Sequence, residues 1–221
     1  MNDIAHNLKV IRQEIGDQVS LVAVSKNHSV EEILVAYHAG QRAFGENRVQ
    51  EILGKQPFLP ADINWHLIGH LQTNKVKLIV PFVSMIESVD SMKLLEEISD
   101  QASKIGRVID CLLQVFIATE ETKFGLNEKE LADLLIRVHH NPFPGIRIKG
   151  LMGMATFTDD TNLIRKEFRG LKALFDKTRY DFYMNEPSFS ELSIGMSGDY
   201  QIAIEEGSTL VRIGTKIFGT R

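Results

Sequence analysis

The chain has 221 residues, 43% hydrophobic, 24% charged and 8% aromatic, a near-average globular composition that excludes a disordered, collagen-like or coiled-coil chain. Lys and Arg number 25 against 29 Asp and Glu, a formal charge of −4, so there is no general electrostatic drive toward nucleic acid or an anionic membrane. The single cysteine, Cys111, excludes an intramolecular disulfide and a metal site built from several thiolates.

No apolar run approaches the roughly 18 residues of a membrane span. Met1–His6 lacks the basic and apolar segments of a secretory signal, so a cytoplasmic protein is expected. Ile4, Leu8, Ile11 and Ile15 recur at helical spacing and predict an amphipathic opening helix. Ser20–Ser25 reads as a buried strand. Ser29-Val-Glu-Glu32 is a capping box whose helix runs to about Ala39 and stops at Gly40. A brief strand over Gln41–Phe44, a helix over Arg48–Gly54, a strand over Trp65–Ile68 and a helical stretch over Asn74–Val80 follow. Phe82–Ser88 predicts the fourth strand, Asp90–Lys104 a helix, and Val108–Ile117 the longest strand, in which Cys111 reads as a buried structural residue. Leu131, Leu134, Leu135 and Val138 mark the next helix, and Ile146–Met152 the sixth strand. Leu163, Leu171, Leu174 and Phe175 share one face of a long helix, with Asp159–Asp160 before it as cap and dipole partner. Ser188–Ile194, a short helix near Tyr200–Glu205, Thr209–Ile213 and a last helical segment past Gly214 complete the series.

Eight apolar strands alternating with helices predict a parallel sheet covered on both faces. The fold expected is an α/β single (β/α)8 TIM-type barrel spanning 1–221, with an extra N-terminal helix. An open doubly wound sheet is the alternative, weakened because no Gly-rich dinucleotide turn follows the first strand.

Barrel chemistry sits at the C-terminal strand ends, so the polar residues after each apolar run are the candidates. Lys26 ends the first strand; partial desolvation in a barrel mouth would free its amine for Schiff-base chemistry, while a solvated junction lysine is the plain alternative. Ser193–Gly198 and Val211–Thr215 follow strands seven and eight, where such barrels bind phosphate with loop amides and a short helix. Gly195, Gly198 and Gly214 would let N–H groups approach an anion, with Ser197 and Thr215 adding hydroxyls; tight turns are the alternative use of those glycines. A lysine facing a phosphate site across a barrel mouth points to pyridoxal phosphate or a sugar-phosphate aldolase. His66 and His70 have the i, i+4 spacing of a metal pair, but with no carboxylate to complete the set a hydrogen-bonding role is expected. Lys75 and Lys77 read as solvated helix residues.

Ala23-Val-Ser-Lys26, Phe44-Gly-Glu-Asn47, His66–Gln72, Gly150–Met154, Ile194–Ser197 and Val211–Gly219 together resemble the pyridoxal phosphate homeostasis protein family, itself similar to the N-terminal barrel of alanine racemase. The resemblance runs in order along essentially the whole chain, and the combined motifs are highly specific. It implies that Lys26 bonds the cofactor aldehyde as an imine, that Ser197 with the Gly214 and Thr215 amides cradles the phosphate, and that Arg212 faces the pyridine nitrogen. Asn47 lies near the cofactor by the same resemblance, or starts a helix as its cap. Met154 sits where a side chain can lie against the ring, or fills core. Two departures are visible: Phe116 stands where the family usually has Asn, and Phe124, in Glu121–Gly125, where a small residue is usual.

Two function classes compete. One is a protein that holds pyridoxal 5′-phosphate on Lys26 and hands it to apoenzymes without significant turnover; the other is a racemase-like enzyme. A racemase of this architecture adds a C-terminal β-domain that brings a catalytic tyrosine across a dimer interface. Here the sequence stops at Arg221, directly after the phosphate loop, so no such domain and a monomer are expected. Tyr37, Tyr180 and Tyr183 fall in helix or loop segments, and Tyr200 lies close enough to the phosphate loop to remain a candidate.

Overall fold

The computed structural model describes residues 3–118, 124–141 and 143–220. Among these, parallel strands close into a barrel in chain order: β1 (Ser20–Val24), β2 (Ala43–Glu46), β3 (Asn64–Leu67), β4 (Met85–Val89), β5 (Ile109–Gln114), β6 (Ile146–Met152), β7 (Glu191–Met196) and β8 (Leu210–Ile213). Closure is by β8 against β1, with Ser20 opposite Leu210 and Ala23 opposite Ile213. The helices are α1 (Ile4–Ile15), α2 (Val30–His38), α3 (Val49–Lys55), α4 (Val76–Ile79), α5 (Met92–Lys104), α6 (Glu128–His140), α7 (Thr161–Phe182), α8 (Tyr200–Glu205) and α9 (Thr215–Phe218). The expected (β/α)8 barrel with an added N-terminal helix is therefore observed, and no helix among the described residues is long and apolar enough to cross a membrane.

Local signals act as read. The apolar stripe of α1 is buried, and the capping box at Ser29 and Glu32 is complete. Asp160 caps α7 by accepting from the Asn162 and Leu163 amides. Cys111 is fully buried, and burial pushes its thiol pKa well up. Lys77 is exposed on α4 and Lys75 half-buried just before it.

Four strands move by two residues or more at an end: β4 starts at Met85 rather than Phe82 because the Phe82 and Val83 amides still donate to Ile79 O. β2 begins at Ala43 because the Gln41 amide is still bonded to Ala36 at the end of α2. β5 stops at Gln114: the next residues meet the incoming chain, Val115 bridging Leu126 and the Phe116 amide donating to Leu126 O at 2.9 Å. β7 starts at Glu191 because the Phe189 amide closes a turn onto Glu186. Of the unusual segment 121–125, residues 121–123 lie outside the described residues; Phe124 is exposed and stacks on His70 at 4.3 Å.

The main core lies between sheet and helices, and a second apolar cluster of Met85, Leu112 and Met152 fills the barrel interior. Met154, two residues further toward the mouth on the β6 strand line, packs on that inner cluster. The floor of the mouth is thus apolar, and polar residues begin above it.

Candidate functional site

Lys26 follows β1 by two residues at the C-terminal end of the barrel, and its side chain is exposed. Of the two settings open to it, the solvated junction is the one observed, and the clamp around it acts on its neighbours instead. Ser25 turns outward and is fully buried, its hydroxyl donating to Glu46 Oε1 at 2.7 Å. Lys55 on α3 reaches the same Glu46 oxygen at 2.7 Å and the Ser25 carbonyl at 2.9 Å. The other carboxyl oxygen of Glu46 is buried with no hydrogen-bond partner among the described residues. Burial pushes the Glu46 pKa up to about 7, against the Lys55 and Ser25 hydrogen bonds that lower it.

β8 is the hydrogen-bonded neighbour of β1, so the loops after β7 and β8 lie beside Lys26 rather than across the mouth from it. There the Gly214 amide donates to Ser197 Oγ at 3.2 Å, bringing the two loops together. A Cβ on Gly214 would lie 3.1 Å from Val24 O and 3.3 Å from Val24 Cβ. Glycine is what lets this amide-bearing turn sit against the end of β1. Thr215 and Lys216 open α9, where the first amides of a helix have no intrahelical acceptor. Glycine backbone, a hydroxyl and free amides at one spot fit a phosphate. Gly195 does different work: it lies inside β7 with φ +94°, and a Cβ there would strike Ala203 and Tyr200 at 2.6 and 2.9 Å. Its missing side chain admits α8, not an anion.

Arg212 is buried inside the barrel, donating to Ser193 O at 2.9 Å, to Ser193 Oγ and to Gly153 O at 3.0 Å. Glu87 on β4, on the far side of the ring, lies 3.7 Å from Arg212 and accepts from Ser193 Oγ at 2.6 Å. His66 Nδ1 meets the second Glu87 oxygen at 2.7 Å. Burial raises the Glu87 pKa, but His66, Arg212 and Ser193 outweigh it and hold the carboxyl below its ordinary range. Burial in turn pulls Arg212 below its ordinary value, opposed by the charges of Glu87 and Asp199.

The histidines do have carboxylates, which the sequence pattern does not reveal: His66 pairs with Glu87, and His70 with Asp90 at 2.9 Å. These are hydrogen-bonded pairs, and no metal-holding cluster occurs among the described residues. Asn47 is half-buried just past β2 and does not cap α3; Arg48 occupies that position without a side-chain cap bond. Gly69 holds the β3 loop against Asn47, since a Cβ there would lie 2.4 Å from Asn47 O. Tyr200 is buried with its hydroxyl bonded to Glu14 of α1, which removes it from the mouth. Sequence reasoning also missed Glu46, Glu87 and Lys55. For the two glutamates the available signal was a carboxylate within each of two short, mostly apolar strands, Ala43–Glu46 and Met85–Val89.

The family model for the alanine racemase N-terminal domain matches residues 1–221. A pyridoxal phosphate homeostasis protein of Aquifex aeolicus (strain VF5) is 40% identical over 91% of this chain and 86% of its own. The protein of that name from Escherichia coli (strain K12) is 36% identical over 100% of this chain and 98% of its own. Among solved structures, PipY of Synechococcus elongatus PCC7942 without PLP superposes with a TM-score of 0.91 at 36% identity, covering 98% of this chain and all of that one (100%). The same protein with PLP bound gives a TM-score of 0.88. Alanine racemase from Bartonella henselae, at 17% identity and a TM-score of 0.71, shares the fold over 99% of this chain and 60% of its own. By sequence and by fold, the chain belongs to the pyridoxal phosphate homeostasis protein family.

Proposed function

We propose that this chain, acting as one domain over 1–221, binds pyridoxal 5′-phosphate in the cytoplasm and holds it for delivery to apoenzymes, as a monomer and without sustained turnover. The observation that carries the reading is the adjacency of β7, β8 and β1, which gathers Ser197, Gly214, Thr215 and Lys26 on one side of the mouth. Bound pyridoxal phosphate supplies an aldehyde open to attack by an amine and a phosphate that takes hydrogen bonds. Lys26, exposed at the strand end, offers the amine. Ser197 and the amides of Gly214 and Thr215 bind the phosphate through charge-assisted hydrogen bonds. Arg212 is fixed by Ser193 and Gly153 where it can face a ring nitrogen; a cation there keeps that nitrogen unprotonated, a poor setting for electron withdrawal from a substrate. On this reading Asn47 and Met154, which follow β2 and β6, lie against the ring. Two features support low turnover: the relatives are named for homeostasis, and the Tyr200 hydroxyl is engaged by Glu14.

Borohydride reduction of the loaded protein followed by peptide mapping tests this. Label on Lys26 is expected, and label on another lysine overturns the assignment. Incubation with L-amino acids in deuterated water should give no sustained α-carbon exchange; exchange at enzyme-like rates that Lys26→Ala abolishes would make the protein an enzyme.

A further inference from the structure

Lys26 is exposed, and an exposed lysine keeps its rotamer freedom, so its aim must come from its backbone. That backbone is held from both flanks. Before it, the Ser25 amide donates to Gly45 O at 3.0 Å, the hydroxyl donates to Glu46, and the carbonyl accepts from Lys55 Nζ at 2.9 Å and the His28 amide at 3.0 Å. After it, Asn27 takes the left-handed φ of 62° and its amide donates to Glu51 Oε2 at 2.8 Å. Lys55 joins the two flanks, lying 2.7 Å from Glu46 Oε1 and 3.3 Å from Glu51 Oε2.

We infer that Lys55 is a positioning residue for Lys26: its ammonium ties the residue before Lys26 to the carboxylates that hold both flanks of the turn. The inference rests on the reading of Lys26 as the residue that bonds the cofactor. An ammonium has three N–H donors, and three acceptors, Ser25 O, Glu46 and Glu51, receive them. Lys55 is thereby also kept from competing as an amine nucleophile, because its nitrogen is engaged by all three acceptors. A general stabilising ion pair would need no bond to the Ser25 carbonyl; that bond makes Lys55 specific to this turn.

The test separates covalent capture from phosphate binding. Pyridoxine 5′-phosphate carries an alcohol in place of the aldehyde and reports on the non-covalent contacts alone, those to the phosphate and to the ring. Lys55→Met is expected to bind it within about twofold of wild type, yet to lose about tenfold or more in borohydride-trapped label on Lys26 at subsaturating pyridoxal phosphate, the loss of one bond to a charged group. Glu51→Ala, which releases only the Asn27 flank, should shift the label in the same direction by about threefold, and it decides the matter if Lys55→Met does not fold. Unchanged label in Lys55→Met, or in Glu51→Ala where that variant decides, overturns the inference, as does an equal loss of label and analogue binding. Wild-type label away from Lys26 overturns instead the reading on which the inference rests.

Discussion

Glu46 on β2 and Glu87 on β4 are both fully buried near the C-terminal end of the barrel, one on the outer face of the sheet and one in the interior. Their carboxyls move in opposite directions. Glu46 concentrates its Ser25 and Lys55 bonds on one oxygen and leaves the other without a partner, so burial wins and the pKa rises to about 7. Glu87 has His66 on one oxygen and Ser193 on the other, with Arg212 within 3.7 Å, so its donors win. Burial of a carboxyl does not by itself set its charge; how the donors are distributed over its two oxygens does. The interior carboxylate therefore anchors Arg212, while the outer one braces the turn that carries Lys26.

If that contrast holds, the largest effect belongs to Glu87→Ala. It removes the carboxylate that lies 3.7 Å from the buried Arg212 and should cost about 3–5 kcal/mol in urea unfolding near neutral pH. Glu46→Ala should cost less than half as much, because Lys55 keeps the Ser25 carbonyl and Glu51. Equal costs would break the comparison. The next effect is a pH dependence. A carboxyl whose folded pKa is raised contributes stability that is fully present below its ordinary 4.5 and is lost as pH rises through about 7. Wild type relative to Glu46→Gln should therefore lose stability, on the order of 3 kcal/mol at most, between about pH 5 and pH 8. Glu87 has the reverse sign: its contribution is present above the ordinary carboxylate value and is lost as pH falls below it. A flat difference profile for Glu46 would sink the assignment of its raised pKa.

The barrel was legible because the strands are short, largely apolar runs and several helices carry their own cap, as at Ser29 and Asp160. The Lys26 and Gly214 positions were legible because each comes just after an apolar strand run. What was not legible depends on contacts between strands far apart in sequence. Glu87 and Arg212 meet because β4 and β8 face each other across a closed ring, and neither spacing nor composition encodes that. Lys26 was expected across from the phosphate loops, and closure of β8 onto β1 is what puts it beside them. The strand ends at Gln114 and Glu191 likewise moved because loop amides found partners outside the local pattern.

The smallest expected effect sharpens the same contrast at the level of one hydroxyl. Ser25→Ala and Ser193→Ala each remove one donor from a buried glutamate, and each should cost about 0.5–1.5 kcal/mol in stability. Their effects on titration should differ in kind. Without Ser25, Glu46 keeps Lys55 on the same oxygen, and its pKa should climb further from about 7. Without Ser193, Glu87 keeps His66 on Oε1 and Arg212 close by, so its carboxyl should rise yet stay ionised at neutral pH. Carboxyl carbon-13 titration of the two variants reads both. A Glu87 that becomes neutral near pH 7 on loss of Ser193 would mean that this one hydroxyl holds the interior charge. The spread of donors over both oxygens would then no longer explain why the two glutamates behave in opposite ways.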